Sequence, residues 1–111
     1  MARETGEIRN VLSRYRSAFN DLNANEAKAV WPTVDDKSLD RAFRQLERQD
    51  VTFNVCHIEV AGVRAVSSCD GRASYVPKVG SKTARVDSRS WTFQLLKTED
   101  AGWMIEGVNS R

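Results

Sequence analysis

The sequence predicts an α+β domain in which three helices are followed by a four-stranded antiparallel sheet. Two observations carry this. Apolar residues recur at helical spacing over about residues 6–48 and alternate at strand spacing over about residues 51–109. The two patterns are also segregated along the chain instead of interleaved, which argues against a βαβ arrangement. A chain of 111 residues, 41% of them hydrophobic, suits one domain with its own core.

Each helix has its own justification. Ile8, Val11, Leu12, Tyr15, Phe19 and Leu22 fall on one face of a first helix, with Thr5 placed to cap its start. Asn23, with Glu26 three residues on, has the spacing of a capping box and opens a short second helix. That helix stops near Trp31, because Pro32 disfavours helical geometry in the residue before it. In "DDKSLDRAFRQLERQD" a third helix buries Leu39, Ala42, Phe43 and Leu46, with Asp35 or Asp36 as its cap. The strands are "VTFNVCHIEV", "VRAVSSCDGRASYV", "ARVDSRSWTFQLL" and "GWMIEGV". The turn-like segments "AG", "PKVGSKT" and "KTEDA" separate them, as in a meander.

Composition narrows the function. With 17 basic and 15 acidic residues the net charge is +2, which gives no bulk attraction to nucleic acid or membrane. No apolar stretch approaches the ~20 residues of a membrane span, and "MARETGEIRN" has no apolar segment of a signal peptide. No nucleic-acid partner and no direct membrane insertion are expected. Between Arg64 and Lys97 there are seven basic residues against two acidic ones. Such a surplus suits an anionic ligand, a phospholipid surface or a polyanion. The plainer reading is solubility and protection of strand edges.

The only cysteines, Cys56 and Cys69, lie on either side of Gly62-Val63. If that pair is a type II′ hairpin turn, with glycine first, Ala61 faces Arg64, Ile58 faces Ser67 and Cys56 faces Cys69. The cysteines then form a non-hydrogen-bonded pair with Cα atoms ~4.5 Å apart, within the ~4.4–6.8 Å that a disulfide accepts. Two buried thiols are the alternative. Zinc would need about four ligands, and the single histidine, His57, points to the opposite strand face. The C-x-x-C spacing of a redox pair is absent. His57 flanks Glu59 on its face and reads as a solvated polar residue. A disulfide implies an oxidising, extracytoplasmic compartment, periplasmic or extracellular, with a targeting segment outside these residues. Without the bridge, the protein reads as cytoplasmic.

"IRNVLSRYRSAFNDLNANEAKAVWP", with the closing "SWTFQLLK" and "WMI", resembles the NTF2-like (SnoaL / ketosteroid isomerase-like) superfamily over nearly the whole chain. The resemblance implies a cone, with a curved sheet wrapped around helices, a pocket at the open end, and an outer sheet face that often forms a homodimer. "VWP", "LDRAF" and "GVRA" more narrowly resemble domains at the carboxyl ends of bacterial membrane-anchored proteins, including serine/threonine kinases.

In the isomerase-like branch a first-helix tyrosine donates to an oxyanion, and a carboxylate after the second helix moves the proton. Tyr15 matches the tyrosine. The carboxylate region here reads as the third helix, where Asp35, Asp36 and Asp40 have capping and surface roles. Asp87 is the remaining candidate, on the strand face of Trp91, Phe93 and Leu95. Its plainer reading is a pair with Arg85 or Arg89. The sequence therefore points to a non-enzymatic domain that binds a small hydrophobic ligand or another protein, as a module of a larger exported or membrane-anchored protein. Tyr15, Phe19, Trp31, Phe43, Phe53, Tyr75, Trp91 and Phe93 are its candidate pocket, with no metal or cofactor expected. The alternatives are an isomerase, dehydratase or cyclase using Tyr15 and Asp87 on a hydrophobic carbonyl substrate, and a structural dimerisation module. An exposed tryptophan on the outer sheet face would favour the dimer.

Overall fold

The computed structural model describes residues 2–111. The first helix, α1 (Ala2–Asn20), buries Ile8, Val11, Leu12 and Tyr15 and half-buries Phe19. Thr5 lies inside this helix and not at its start. The turn ahead of it is anchored by Glu4, which accepts hydrogen bonds from Lys97 and the Trp103 indole. Leu22 lies past the helix end in left-handed geometry, φ 54°. Its N–H donates to the Phe19 carbonyl, and that of Asn23 to Ala18. This pair of bonds ends a helix around a left-handed residue, a position usually taken by glycine.

The second helix, α2 (Ala24–Val30), is capped by Asn23, whose side chain accepts from the Glu26 N–H at 3.1 Å, and it ends at Trp31. The third, α3 (Asp36–Arg44), is capped by Asp35. It stops short of residue 48 because Gln45 closes it and then accepts a bond from the Lys78 N–H, which hands the backbone to the sheet. Leu46 keeps helical spacing with Leu39 and Phe43, yet it already pairs with Pro77 across two strands. Only Phe43 of the expected helical face is fully buried; Leu39 and Leu46 are half-buried and Ala42 is exposed.

The sheet is an antiparallel meander of β1 (Leu46–Ala61), β2 (Arg64–Pro77), β3 (Arg85–Thr98) and β4 (Gly102–Ser110), in that order. One face is covered by the helices. On β2 this inner face is built from Ala65, Ser67, Cys69, Gly71 and Ala73, all buried, alternating with exposed residues. Asn20 stitches α1 to the edge strand. Its side chain accepts from the Val51 N–H at 2.6 Å and donates to the Val51 carbonyl at 3.3 Å, satisfying backbone groups that an edge strand otherwise leaves open.

Of the three register shifts in the sheet, the one between Leu46 and Arg48 lies at the start of β1, and the other two set which residues face inward around the site. In β1 the register shifts between Phe53 and Val55, leaving Asn54 as the extra residue. Phe53 and Cys56 thereby both face inward, although simple alternation would separate them. Gly71 faces this bulge, and a Cβ there would lie 1.8 Å from the Thr52 carbonyl oxygen. In β4 the register shifts opposite Gln94 and Leu95, with Glu106 as the extra residue.

The first hairpin has the expected register. Gly62 takes φ 63° and Val63 does not share its positive sign, as a type II′ turn requires. Cys56 pairs with Cys69 in a disulfide, with Cα atoms 4.1 Å apart. Cys69 is 1% exposed, and its sulfur lies 3.5 Å from the Ser67 hydroxyl. A bridge between cysteines 13 residues apart constrains the unfolded chain by roughly 3 kcal/mol. The double variant Cys56→Ala/Cys69→Ala is expected to lose about 2–3 kcal/mol in urea unfolding. Oxidised protein, denatured without reductant, should titrate no free thiol; two thiols per chain would contradict the bridge.

Candidate functional site

The space between helices and sheet is filled with aromatic rings. Phe43 meets Phe19 edge-on at 5.2 Å, Phe19 stacks on Tyr15 at 4.2 Å, and Tyr15 meets Phe93 edge-on at 5.0 Å. Phe53 continues the series, 5.8 Å from Phe93 and 5.0 Å from Trp91. Trp31, where α2 ends, tilts against Tyr15 at 6.2 Å. Such edge-to-face geometry is favoured for ring pairs.

Tyr75, the remaining candidate, does not join this series. It sits near the end of β2, opposite Gln49 and Arg85, with the Arg85 guanidinium 6.0 Å from its ring centre. Phe43, Trp91 and Phe93 are buried in the packed core, while Tyr15, Phe19, Trp31 and the half-buried Phe53 also border open space.

That space is a groove of about 520 Å³ between α3 and the end of β4. Tyr15, Phe19 and Trp31 line it together with Val34, Leu39, Ala42 and Val108, and its polar lining is Thr33, Asp35, Ser38 and Ser110. The Thr33 hydroxyl donates to the Glu106 carbonyl at 2.9 Å, tying the chain before α3 to the β4 bulge. The bulge has a direct consequence for the site. Counted by alternation from Ile105, Val108 and Ser110 would face outward. The extra residue, Glu106, turns both inward, opposite Phe93 and Trp91.

Three polar groups define the chemistry here. Tyr15 is 4% exposed, and its hydroxyl has no hydrogen-bond partner among the described residues. Burial pushes its phenol above the ordinary value of 10.0, and the Arg89 charge opposes that rise. The Asp35 carboxylate accepts from the Ser38 N–H at 3.1 Å and from the Ser38 hydroxyl at 2.9 Å. These bonds, the backbone one first, hold its pKa below the ordinary 3.8. Arg89, on the inner face of β3, donates to the Ser110 hydroxyl at 3.1 Å.

Asp87 does not line the groove. Its carboxylate lies 4.0 Å from the Arg89 guanidinium and is 45% exposed. The structure thus brings Tyr15 and Asp35 to one groove and leaves Asp87 outside it. His57 is exposed on the outer face. Trp91 and Trp103 are buried on the inner face and Trp31 belongs to the helical layer, so no tryptophan lies on the outer sheet face. Of the basic residues between Arg64 and Lys97, four are paired separately: Arg64 with Glu106, Lys82 with Glu47, Arg89 with Asp87 and Lys97 with Glu4. Among the described residues, no group of three or more His, Cys, Asp or Glu side chains gathers as a metal site would need.

No protein-family model and no curated protein matches this sequence. Solved structures match it in three dimensions. An NTF2-like superfamily protein from Salmonella enterica serovar Typhimurium superposes with a TM-score of 0.89, covering 99% of this chain and 91% of that one at 13% identity. The fold is NTF2-like. An NTF2-like protein with a cystatin-like fold from Novosphingobium aromaticivorans gives a TM-score of 0.76 at 15% identity, over 98% of this chain and 81% of that one. A hexachlorocyclohexane dehydrochlorinase, LinA-type3 from Novosphingobium barchaimii, gives 0.80 at 9% identity, over 99% and 86%. At such identities the likeness extends to the NTF2-like architecture and not to the chemistry. Nothing in these three descriptions bears on the narrower resemblance to domains of membrane-anchored kinases.

Asp35 gives a pH test. Its folded pKa lies below the ordinary value, so its capping contribution is present above pH 3.8 and is lost as the pH falls through the folded value. Asp35→Ala is expected to lower Tm at pH 7. The gap to the wild type should narrow in thermal melts taken progressively below pH 3.8. A gap independent of pH would refute an ionised cap.

Proposed function

We propose that this protein is a non-enzymatic binding domain for a small, largely apolar molecule, which occupies the groove between α3 and the end of β4. The observation that carries the reading is the groove itself. It is a broad depression open to solvent, and its exposed lining is mostly apolar. Aromatic and aliphatic side chains line it, and Tyr15 presents there a hydroxyl free to orient a ligand. The one carboxylate in the lining, Asp35, is already committed to holding α3.

The disulfide accords with an oxidising, extracytoplasmic setting, and among the described residues no helix is long and apolar enough to cross a membrane. On the ground of the disulfide we place the domain in an exported or membrane-anchored protein.

The neutral fluorophore N-phenyl-1-naphthylamine tests the binding reading. It is expected to bind the wild type with a blue-shifted, enhanced emission. Ala42 is exposed and lines the groove, so Ala42→Trp should fill the space and weaken binding by about tenfold or more while leaving the circular dichroism unchanged. Equal binding by both proteins would place the probe elsewhere and refute the reading.

A second reading, an enzyme of the SnoaL type acting on a carbonyl compound, draws on two facts. Tyr15 and Asp35 share the groove, and a dehydrochlorinase shares the fold. Against it stands the direction of the Asp35 shift: a general base working near neutrality needs a raised carboxylate pKa, and this one is lowered. Deuterium exchange at the α-carbon of a bound cyclic ketone, followed by NMR, separates the two. The binding reading expects no exchange above the buffer rate. Exchange that disappears in Tyr15→Phe would establish the enzyme.

A further inference from the structure

Arg89 is a cation on a face that is otherwise mostly apolar. Inner-face neighbours along β3 are Trp91, Phe93 and Leu95, all buried. Across the strand it pairs with Gly71, whose missing side chain makes way for the Thr52 carbonyl of the β1 bulge. The side chain is 36% exposed, so most of it is withdrawn from water.

Its hydrogen-bonding capacity is largely unused. A guanidinium carries five N–H donors in a planar fork. One nitrogen, Nη1, donates to Ser110, a groove-lining residue, at 3.1 Å. The Asp87 carboxylate stands 4.0 Å from Nη2, beyond hydrogen-bond distance. Nε is buried without any partner. A partly desolvated cation with spare coplanar donors is costly unless an anion completes it. A planar anion with two acceptor oxygens fits the fork best.

Tyr15 adds a second donor, within the groove itself. Its hydroxyl has no partner among the described residues, and the Arg89 charge acts on it. Tyr15 lines the groove, and Arg89 lies just beyond the lining, bonded to the lining residue Ser110.

We propose that the groove is a site for a hydrophobic carboxylate: the apolar part lies on Tyr15, Phe19 and Trp31, and Arg89 receives the carboxylate at the β4 end. This rests on the binding reading above and names the ligand class. Ser110 is a positioning residue that holds the guanidinium at the groove's edge, and Asp87 is displaced toward solvent as the ligand carboxylate takes the fork.

The test compares 2-naphthoate with 2-naphthamide, which match in shape and differ in charge, by calorimetric titration at pH 7. The acid is expected to bind the wild type about tenfold or more tightly than the amide. In Arg89→Gln that preference should vanish while amide binding persists, and Arg89→Lys, which keeps the charge without the fork, should retain only part of it. Raising the salt should weaken the acid and spare the amide, a comparison made in the wild type alone and therefore decisive even if a variant fails to fold. If the amide binds as well as the acid, or the preference survives in Arg89→Gln, the carboxylate assignment falls and the groove reading stands. If neither compound nor N-phenyl-1-naphthylamine binds, the groove reading falls and the assignment falls with it.

Discussion

Everything in this molecule depends on one seam of rings. Tyr15 is its centre, in contact with Phe19 on its own helix, Trp31 at the end of α2 and Phe93 in the middle of the sheet. Through Phe19 the seam reaches Phe43 and so fixes α3; through Phe93 it reaches Phe53 and Trp91 and so fixes the two strands either side of β2. Each ring pair contributes about 0.5–1.5 kcal/mol beyond its buried area, but its larger role is geometric. Rings packed edge to face admit few alternative arrangements, so the sheet is held at one distance from the helices. One open space lies where the seam ends, beside Leu39 and Val108.

The site is shaped by irregularities as much as by regular structure. The extra residue at Asn54 brings Phe53 and Cys56 to the same face, so that the edge strand supplies both a ring and half of the disulfide. The extra residue at Glu106 turns Val108 and Ser110 toward the helices. Without it the groove would lose an apolar wall and the hydroxyl that holds Arg89. Strand bulges commonly re-aim side chains in this way, and here the bulges at Asn54 and Glu106 each shape part of the inner face.

Much of the architecture could be read from the chain because local signals agreed with the global arrangement. Gly62 dictated the hairpin turn and, through it, the facing of Cys56 and Cys69. Asn23 and Asp35 announced the starts of α2 and α3, and the stripe from Ile8 to Phe19 announced the buried face of α1. The misreadings share a physical cause: long-range bonds that no local pattern encodes. Leu46 has helical spacing but is claimed by pairing with Pro77. Thr5 has a capping side chain but lies behind a turn anchored by Lys97 and Trp103. The site was less legible than the fold. Tyr15, Phe19 and Trp31 followed from periodicity, whereas Val108, Ser110 and Arg89 depend on a register shift. The only available sign for Arg89 was its position two residues before Trp91, on the same face.

The tie from Glu4 to Lys97 and Trp103 also bears on how the chain must assemble. The apolar stripe of the first helix meets early partners in Trp31 and Phe43, whereas its first turn waits for Lys97 and Trp103 in the final hairpin. Loop closure over such a span must be completed before those contacts reward it, which slows folding. A chain made from its amino end can therefore cover the stripe early, yet leaves the first turn of that helix untied until its last strand is in place.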